Sequence, residues 1–221
     1  MCGIAGAIGF VDAAVEAAVA RASARQRHRG PDDADSFVTP GSGRARVALS
    51  HRRLAIIDLS SDARQPMRDA GTGAVIVYNG EVYNYRELRV ELERAGRHCV
   101  SNSDTEVVLQ AYLHWGDACL ERLRGMFALA IYDPRERRML FARDRLGIKP
   151  LYLARVEPVP GEHTLIFASE LRALLATGLV EARLDPVGLA SFLWNGFVVG
   201  PGSIIRGVRR LEPGTALAVD Q

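Results

Sequence analysis

Apolar residues alternate with very small ones over the first ten positions. Ile4, Ile8 and Phe10 fall on one face of an extended segment, and Gly3, Ala5, Ala7 and Gly9 fall on the other. The pattern predicts a strand whose second face carries almost no side chain and is therefore covered at close range. Asp12 then stands where a cap is needed, and Val15, Ala18, Val19 and Ala22 recur at the spacing of one helix face. The run Arg27-His28-Arg29-Gly30-Pro31-Asp32-Asp33 supplies basic residues for a last turn, then glycine, then proline, which predicts the helix stop there. Val47 and Leu49 return to period two and lead into Ser50-His51-Arg52-Arg53-Leu54-Ala55-Ile56-Ile57-Asp58-Leu59, read as two strands with a bend. A loop rich in Gly, Asp and Pro runs on to Gly73.

Residues 74–78 form a continuous apolar run, a buried strand, which ends at Asn79-Gly80-Glu81-Val82-Tyr83-Asn84. Asn79-Gly80 is a pair that hairpin turns prefer, but a helical pattern follows instead of a returning strand, so a two-residue hairpin fits poorly. Asn84 and Glu87 have capping-box spacing ahead of a stripe of Leu88, Leu92 and Ala95 that stops at Gly96. Ser103-Asp104-Thr105-Glu106 is a second capping box, opening a helix through Val107, Val108, Ala111 and Tyr112. Four short strands are predicted over 125–133, 139–143, 151–156 and 164–168, with turns at Asp133-Pro134 and between Pro158 and Gly161. Helices over 170–176 and from Asp185-Pro186 to Trp194, a Gly/Pro loop and a strand over 216–219 complete the pattern. Strands adjacent in sequence and joined by short turns make antiparallel sheets, while the helices fall in two groups. The predicted class is α+β, two antiparallel sheets with helices outside them. No linker divides the chain before about Leu184, so residues 1–184 are expected to form one domain and 185–221 a C-terminal extension.

A chain of 221 residues can bury a sizeable core, and 48% apolar with 24% charged residues fits a soluble globular protein. The formal net charge is +2, carried almost wholly by arginine, since Lys149 is the only lysine. Basic residues are scattered among acids and form no stripe, which argues against nucleic acid. No apolar run approaches the roughly 18 residues of a membrane span. The N-terminus lacks the basic leader and cleavage site of a signal peptide. Cys2, Cys99 and Cys119 have no metal-ligand spacing, and an odd count argues against a disulfide framework. No metal and a reducing, cytoplasmic compartment are therefore expected.

Cys2 heads the first strand directly after the initiator Met. Removal of Met1, expected before a small residue, would leave a thiol and a free α-amine on one residue. An amine with an ordinary pKa of about 7.7–8 is partly neutral near pH 7 and can accept the thiol's proton. Against this stands a plain structural reading of Cys2 as a small buried apolar residue. His51 offers a second partner for the thiol, although an amine on the nucleophile itself makes a Cys–His dyad unnecessary.

Six motifs occur in order: Cys2-Gly3-Ile4-Ala5-Gly6, Arg27-His28-Arg29-Gly30-Pro31-Asp32, Ser50-His51-Arg52-Arg53-Leu54, Tyr78-Asn79-Gly80-Glu81-Val82-Tyr83-Asn84, Ser103-Asp104-Thr105-Glu106, and Arg143-Asp144-Arg145-Leu146-Gly147-Ile148-Lys149-Pro150-Leu151-Tyr152. Together they resemble the class II, N-terminal-nucleophile glutamine amidotransferases, specifically the glutaminase domain of glutamine-dependent asparagine synthetases, over almost the whole chain. The blocks around Asn79 and Gly30 favour that branch over the sugar-phosphate and purine branches. The resemblance implies a four-layer αββα sandwich and L-glutamine as substrate. It implies Cys2 as nucleophile, with its α-amine as base and then as acid for the departing ammonia. Asn79 and the Gly80 N–H would stabilise the oxyanion, where losing one donor typically costs ~3 kcal/mol of barrier. Arg53 would hold the substrate α-carboxylate with its planar fork, Glu81 and Asp104 the α-ammonium, and backbone groups near Ile56 and Ile57 would add contacts. Arg29, Gly30 and the 143–149 motif are read as scaffold around the site.

Such synthetases continue into a domain with a Ser-Gly-Gly-x-Asp-Ser loop, which this sequence lacks. Its nearest Gly-rich runs, Gly41-Ser42-Gly43 and Gly71-Thr72-Gly73, have neither the lysine nor the helix of a phosphate loop. ATP and magnesium are accordingly expected only for a synthetase domain or subunit that takes up the ammonia, and a homodimer is a further expectation. Leu189, Phe192, Leu193, Trp194, Phe197 and Val198 predict an extension that packs on the domain's own sheet edge or on a partner. Two other functions compete: a catalytically silent glutamine-binding or bracing domain, and a thiol hydrolase acting on peptides.

Overall fold

The computed structural model describes residues 1–41 and 43–221; Ser42, in the middle of one Gly-rich run, lies outside the described residues. In chain order the elements are β1 (Gly3–Val11), α1 (Ala13–Arg25), β2 (Asp33–Val38), β3 (Gly43–Arg53), β4 (Met67–Arg68), β5 (Val75–Val82), α2 (Tyr85–Arg94), α3 (Asp104–Trp115), α4 (Cys119–Arg122), β6 (Gly125–Asp133), β7 (Arg138–Arg143), β8 (Tyr152–Val159), β9 (Glu162–Ala168), α5 (Leu171–Ala176), α6 (Pro186–Asn195), β10 (Val208–Arg210) and β11 (Ala216–Asp220). Among the described residues the strands form a six-stranded sheet, β10-β8-β9-β1-β3-β2, and a five-stranded sheet, β11-β7-β6-β5-β4. Every pairing is antiparallel.

Alternation along each strand sorts the apolar residues into three layers. The inner layer lies between the sheets: Ile4 and Ile8 of β1, Val47 and Leu49 of β3, Val75 and Val77 of β5, and Phe141 of β7. Phe141 meets Phe167 edge-on there, their ring centroids 5.1 Å apart. On the outer face of the six-stranded sheet, Ala5, Ala7 and Val11 pack against Val15, Val19 and Ala22 of α1 and Leu174 of α5. On the outer face of the other sheet, Ile76 and Tyr78 pack against Leu88 and Leu92 of α2 and Val107, Val108 and Ala111 of α3. The result is the expected αββα sandwich. The close cover expected over the small face of β1 is α1 and the turn after it, where a Cβ added to Gly3 would lie 2.9 Å from Gln26 Cβ.

Several local expectations are corrected. Pairing of β1 with β3 shifts between Gly9 and Val11, with Gly9 at φ 119°, and the bulge leaves Phe10 half-buried instead of in the row of Ile4 and Ile8. Helix α1 begins as expected, with Asp12 accepting from the Val15 N–H at 2.9 Å, but it ends at Arg25, so Arg27–Arg29 lie in a turn beyond it. No second strand follows Arg53; residues 54–60 are irregular. The strand read as ending at Tyr78 continues through Asn79, Gly80 and Glu81 to Val82, because β6 pairs with it along the whole length. Asn84 does not cap α2: its side chain donates to the Arg122 carbonyl at 3.0 Å and accepts from the Arg124 N–H at 2.9 Å. Ala95 is exposed beyond the end of that helix. Ser103 caps α3 through the Thr105 N–H at 3.1 Å, while Glu106 reaches the N–H groups of Val100 and Ser101 instead of completing a capping box.

Residues 185–221 give each sheet an edge strand, β10 on β8 and β11 on β7. Arg143 adds a link, donating to the carbonyls of Lys149 at 2.8 Å and Leu211 at 2.6 Å. Helix α6, in contrast, leaves Val187, Leu193 and Trp194 exposed. No helix among the described residues is long and apolar enough to cross a membrane.

His51 stands on the inner face of β3, only 1% exposed, with Nε2 at 3.1 Å from the Tyr78 carbonyl and no partner for Nδ1 among the described residues. Burial, only partly opposed by that carbonyl, lowers its pKa from 6.5 to about 4. Between these values the unfolded chain binds a proton that the folded chain refuses. Stability is therefore unaffected by His51 above about pH 6.5 and falls as the pH drops toward 4, by a total on the order of 3 kcal/mol. Urea unfolding at pH 7, 6, 5 and 4 should show this slope, and His51→Gln should flatten it; an identical slope in the variant would contradict the assignment.

Candidate active site

The inner rows of three strands end in polar side chains at one end of the sandwich. Cys2 continues the row of Ile4 and Ile8, Arg53 continues Val47, Leu49 and His51, and Asn79 and Glu81 continue Val75 and Val77. These four, with Ile56, Ile57, Gly80 and Asp104, line one cavity of about 180 Å³. Every residue expected at a site from the sequence thus borders the same space.

Cys2 is half-buried, and its Sγ lies 3.4 Å from the Leu54 N–H and 3.7 Å from the Leu54 carbonyl oxygen. Its own carbonyl accepts from Arg29 Nε at 2.8 Å, and Arg29 is braced in turn by Glu170 at 3.1 Å. Burial pushes the Cys2 thiol up, while the Leu54 N–H, the chain's amine and Arg53 pull the other way. The amine, carried here by Met1 at the same cavity, lies below its ordinary value, through burial first and then the charges of Arg29 and Lys149. Burial also raises the other two thiols, Cys99 to about 11 and Cys119 to about 12, and neither lines the cavity.

Strand β5 presents a donor to this space. Alternate N–H groups of a strand point to the same edge. The Tyr78 N–H donates to Gln65 Oε1 at 2.6 Å and the Val82 N–H to Asp104 Oδ2 at 3.0 Å, so the Gly80 N–H between them points the same way, into the cavity. On the other edge Phe127, opposite Gly80, gives its own N–H and carbonyl to Asp144. Glycine is required at 80 by the neighbouring strand, since an added Cβ would lie 2.4 Å from the Met126 carbonyl oxygen and 2.7 Å from Phe127 Cα. Beside it the Asn79 side-chain Nδ2 is buried and has no partner among the described residues. A side-chain and a backbone donor therefore stand ready for an acceptor.

The charges around these donors come in both signs. Arg53 donates to the carbonyls of Ser60, at 2.9 Å, and Asp58, which fixes the irregular wall carrying Ile56 and Ile57 and leaves three guanidinium N–H groups for a ligand. Asp104 accepts from the Tyr78 hydroxyl at 2.8 Å and the Val82 N–H on one oxygen. Burial nevertheless raises its pKa, so a cation arriving beside it would relieve that strain on the charged form. A cavity with arginine on one side and Glu81 and Asp104 on another suits a zwitterion, and the donor pair beside a thiol suits an amide carbonyl.

Sequence reading left out Gln65, Tyr78 and Met126, which line the cavity, and assigned Lys149 to the scaffold although it lines the cavity too. Lys149 could have been suspected as the only lysine of the chain; Gln65 carries no local signal. His51 does not line the cavity, and bonded to Tyr78 with a pKa of about 4 it is no partner for the thiol.

The chain matches the glutamine amidotransferase domain family over residues 1–221. It is 36% identical over 222 residues to the glutamine-hydrolyzing asparagine synthetase 3 of Bacillus subtilis, covering 98% of this chain and 34% of that protein. A putative asparagine synthetase of Mycobacterium bovis is 39% identical over 231 residues, covering 97% and 34%. The chain thus spans about a third of the length of these curated relatives. Among solved structures, the allosteric regulatory enzyme of purine biosynthesis superposes with a TM-score of 0.69 at 19% identity, covering 99% of this chain and 47% of that one. The glutamine phosphoribosylpyrophosphate amidotransferase of B. subtilis gives 0.65 at 21%, covering 84% and 46%. Both likenesses concern the fold alone. The chain belongs to the glutamine amidotransferase domain family.

Proposed function

We propose that this chain hydrolyses L-glutamine to L-glutamate and ammonia through a γ-glutamyl thioester on Cys2. The observation that carries the reading is the single cavity in which a thiol, an unpartnered amide donor, an arginine and two carboxylates converge. Loss of Met1 would place the α-amine on the residue that bears the thiol. The amine then takes the Sγ proton, and the sulfur attacks the side-chain amide carbon of glutamine. Asn79 Nδ2 and the Gly80 N–H hold the resulting oxyanion. The protonated amine passes its proton to the leaving nitrogen, ammonia departs, and the thioester remains. Water, deprotonated by the same amine, releases glutamate and restores the thiol. Arg53 holds the α-carboxylate, Glu81 and Asp104 receive the α-ammonium, and backbone groups near Ile56 and Ile57 complete the wall.

In the same reading the ammonia passes to an ATP-dependent synthetase domain or subunit that amidates aspartate or a related carboxylate. ATP and magnesium belong to that partner. Support comes from the names of the matched relatives and from the apolar surface of α6, where Val187 is 78%, Leu193 74% and Trp194 90% exposed. Residues 1–184 are then the glutaminase domain and 185–221 the bridge to the synthetase; a cytoplasmic location and a homodimer belong to the proposal as well.

Two expected outcomes test the reading. Cys2→Ala should abolish ammonia release from glutamine with an unchanged melting temperature, and an uncleavable extension ahead of Cys2 should silence the enzyme too, since the amine becomes an amide. Ammonia release at the wild-type rate from either would remove the proposed chemistry, and glutamine binding without hydrolysis by the unmodified chain would favour a silent domain. The roles of two side chains should also separate. Arg53→Lys loses the fork and should raise KM by about tenfold or more. Asn79→Ala should lower kcat by about 10²–10³. Equal effects of both substitutions on the same constant would contradict the division.

A further inference from the structure

Lys149 is held at the cavity by its backbone. Its N–H donates to Asp144 Oδ2 at 3.0 Å and its carbonyl accepts from Arg143 Nε at 2.8 Å, so the loop between β7 and β8 is fixed without help from the side chain. The residue is only 6% exposed. Among the described residues its ammonium has no ion-pair partner, whereas Arg29 beside it is paired with Glu170. The side chain lines the cavity, and a loop that needed only its backbone contacts would accept a neutral side chain here.

We propose that Lys149 is a positioning residue for the glutaminase reaction, its unpaired ammonium keeping the N-terminal amine in the neutral, proton-accepting form. The proposal rests on Cys2 and its amine being nucleophile and base. In the resting enzyme a neighbouring cation disfavours a second cation on the amine. After the amine has taken the Sγ proton, the same repulsion favours its transfer to the leaving nitrogen, so the charge helps both proton steps.

Other charges surround the amine as well. Around the amine where Met1 carries it, one residue ahead of the thiol, Arg29 from the turn after α1 acts in the same sense as Lys149, while Cys2, just ahead of β1, and Asp32 act against both. Around the thiol, Arg53 of β3 and Asp104 of α3 oppose each other. Burial and Arg29 lower the pKa of Lys149 itself, against Cys2, Asp144 and Glu81. Arg29 is fastened to the Cys2 carbonyl and to Glu170, which leaves Lys149 as the neighbouring cation without an ion pair among the described residues.

The test compares the wild type with Lys149→Met, Lys149→Gln and Lys149→Arg, all begun at residue 2. Two readouts are taken: the acid limb of kcat/KM for glutamine against pH, and the pH dependence of α-amine acetylation, followed by mass spectrometry of the N-terminal peptide in a Cys2→Ser background. Both neutral variants should move both profiles up by about 0.5–1 pH unit. Lys149→Arg should stay at the wild-type position. Unmoved profiles in either neutral variant with a native melting temperature would overturn the proposal, as would an arginine variant that behaved like the neutral ones. Acetylation does not depend on turnover. Loss of the glutaminase reading would therefore show as a wild type without Cys2-dependent activity, while the amine titration still reports on Lys149.

Discussion

The two-residue period of the strands is the constraint on which this molecule depends. Each strand sends alternate side chains to an inner layer and an outer one, and a slip of one residue would exchange the two sets. With the register fixed by Ile4, Ile8, Val47, Leu49, Val75 and Val77 in the shared layer, the next positions of the same rows are Cys2, Arg53, Asn79 and Glu81. Packing of the apolar core thus aims the polar groups at one another. No local feature near Cys2 could bring Asn79 to it; the pairing of β1 with β3 and the stacking of two sheets do so.

At the rim of the inner layer the usual agreement between burial and polarity fails. Among the described residues Asn79 buries a donor without an acceptor, Asp104 keeps a carboxyl whose charge burial disfavours, and Lys149 has no ion-pair partner. Each is a local cost, and all lie around one small space. Some buried charges outside the site are satisfied instead: Arg143 spends its guanidinium on the carbonyls of Gly147, Lys149 and Leu211, and Glu106 accepts from Val100 and Ser101. A ligand that supplies an acceptor and both charges would resolve these costs together.

Strongly periodic stretches were legible in the sequence. The Asp12 cap, the α1 stripe and the run 125–133 of β6 form as the pattern requires. Illegible were edge strands with little burial to impose a pattern, such as β2 with its largely exposed polar residues and β10 with three residues. The turn-like pair Asn79-Gly80 misled because cross-strand crowding by Met126 and Phe127, a long-range fact, sets the need for glycine there. The site residues could be read because six short motifs in order resemble those of one family, and that resemblance implies their roles. Gln65 could not, since its task of taking the Tyr78 N–H exists only after β5 is placed.

A crystal structure of the Cys2→Ala variant with L-glutamine tests most directly whether one cavity serves one substrate. The account predicts the side-chain amide oxygen about 2.7–3.1 Å from Asn79 Nδ2 and the Gly80 nitrogen. The α-carboxylate should lie on Arg53 and the α-ammonium against Glu81 and Asp104, with the amide carbon facing residue 2. Glutamine bound in the reverse sense, or outside this cavity, would contradict it.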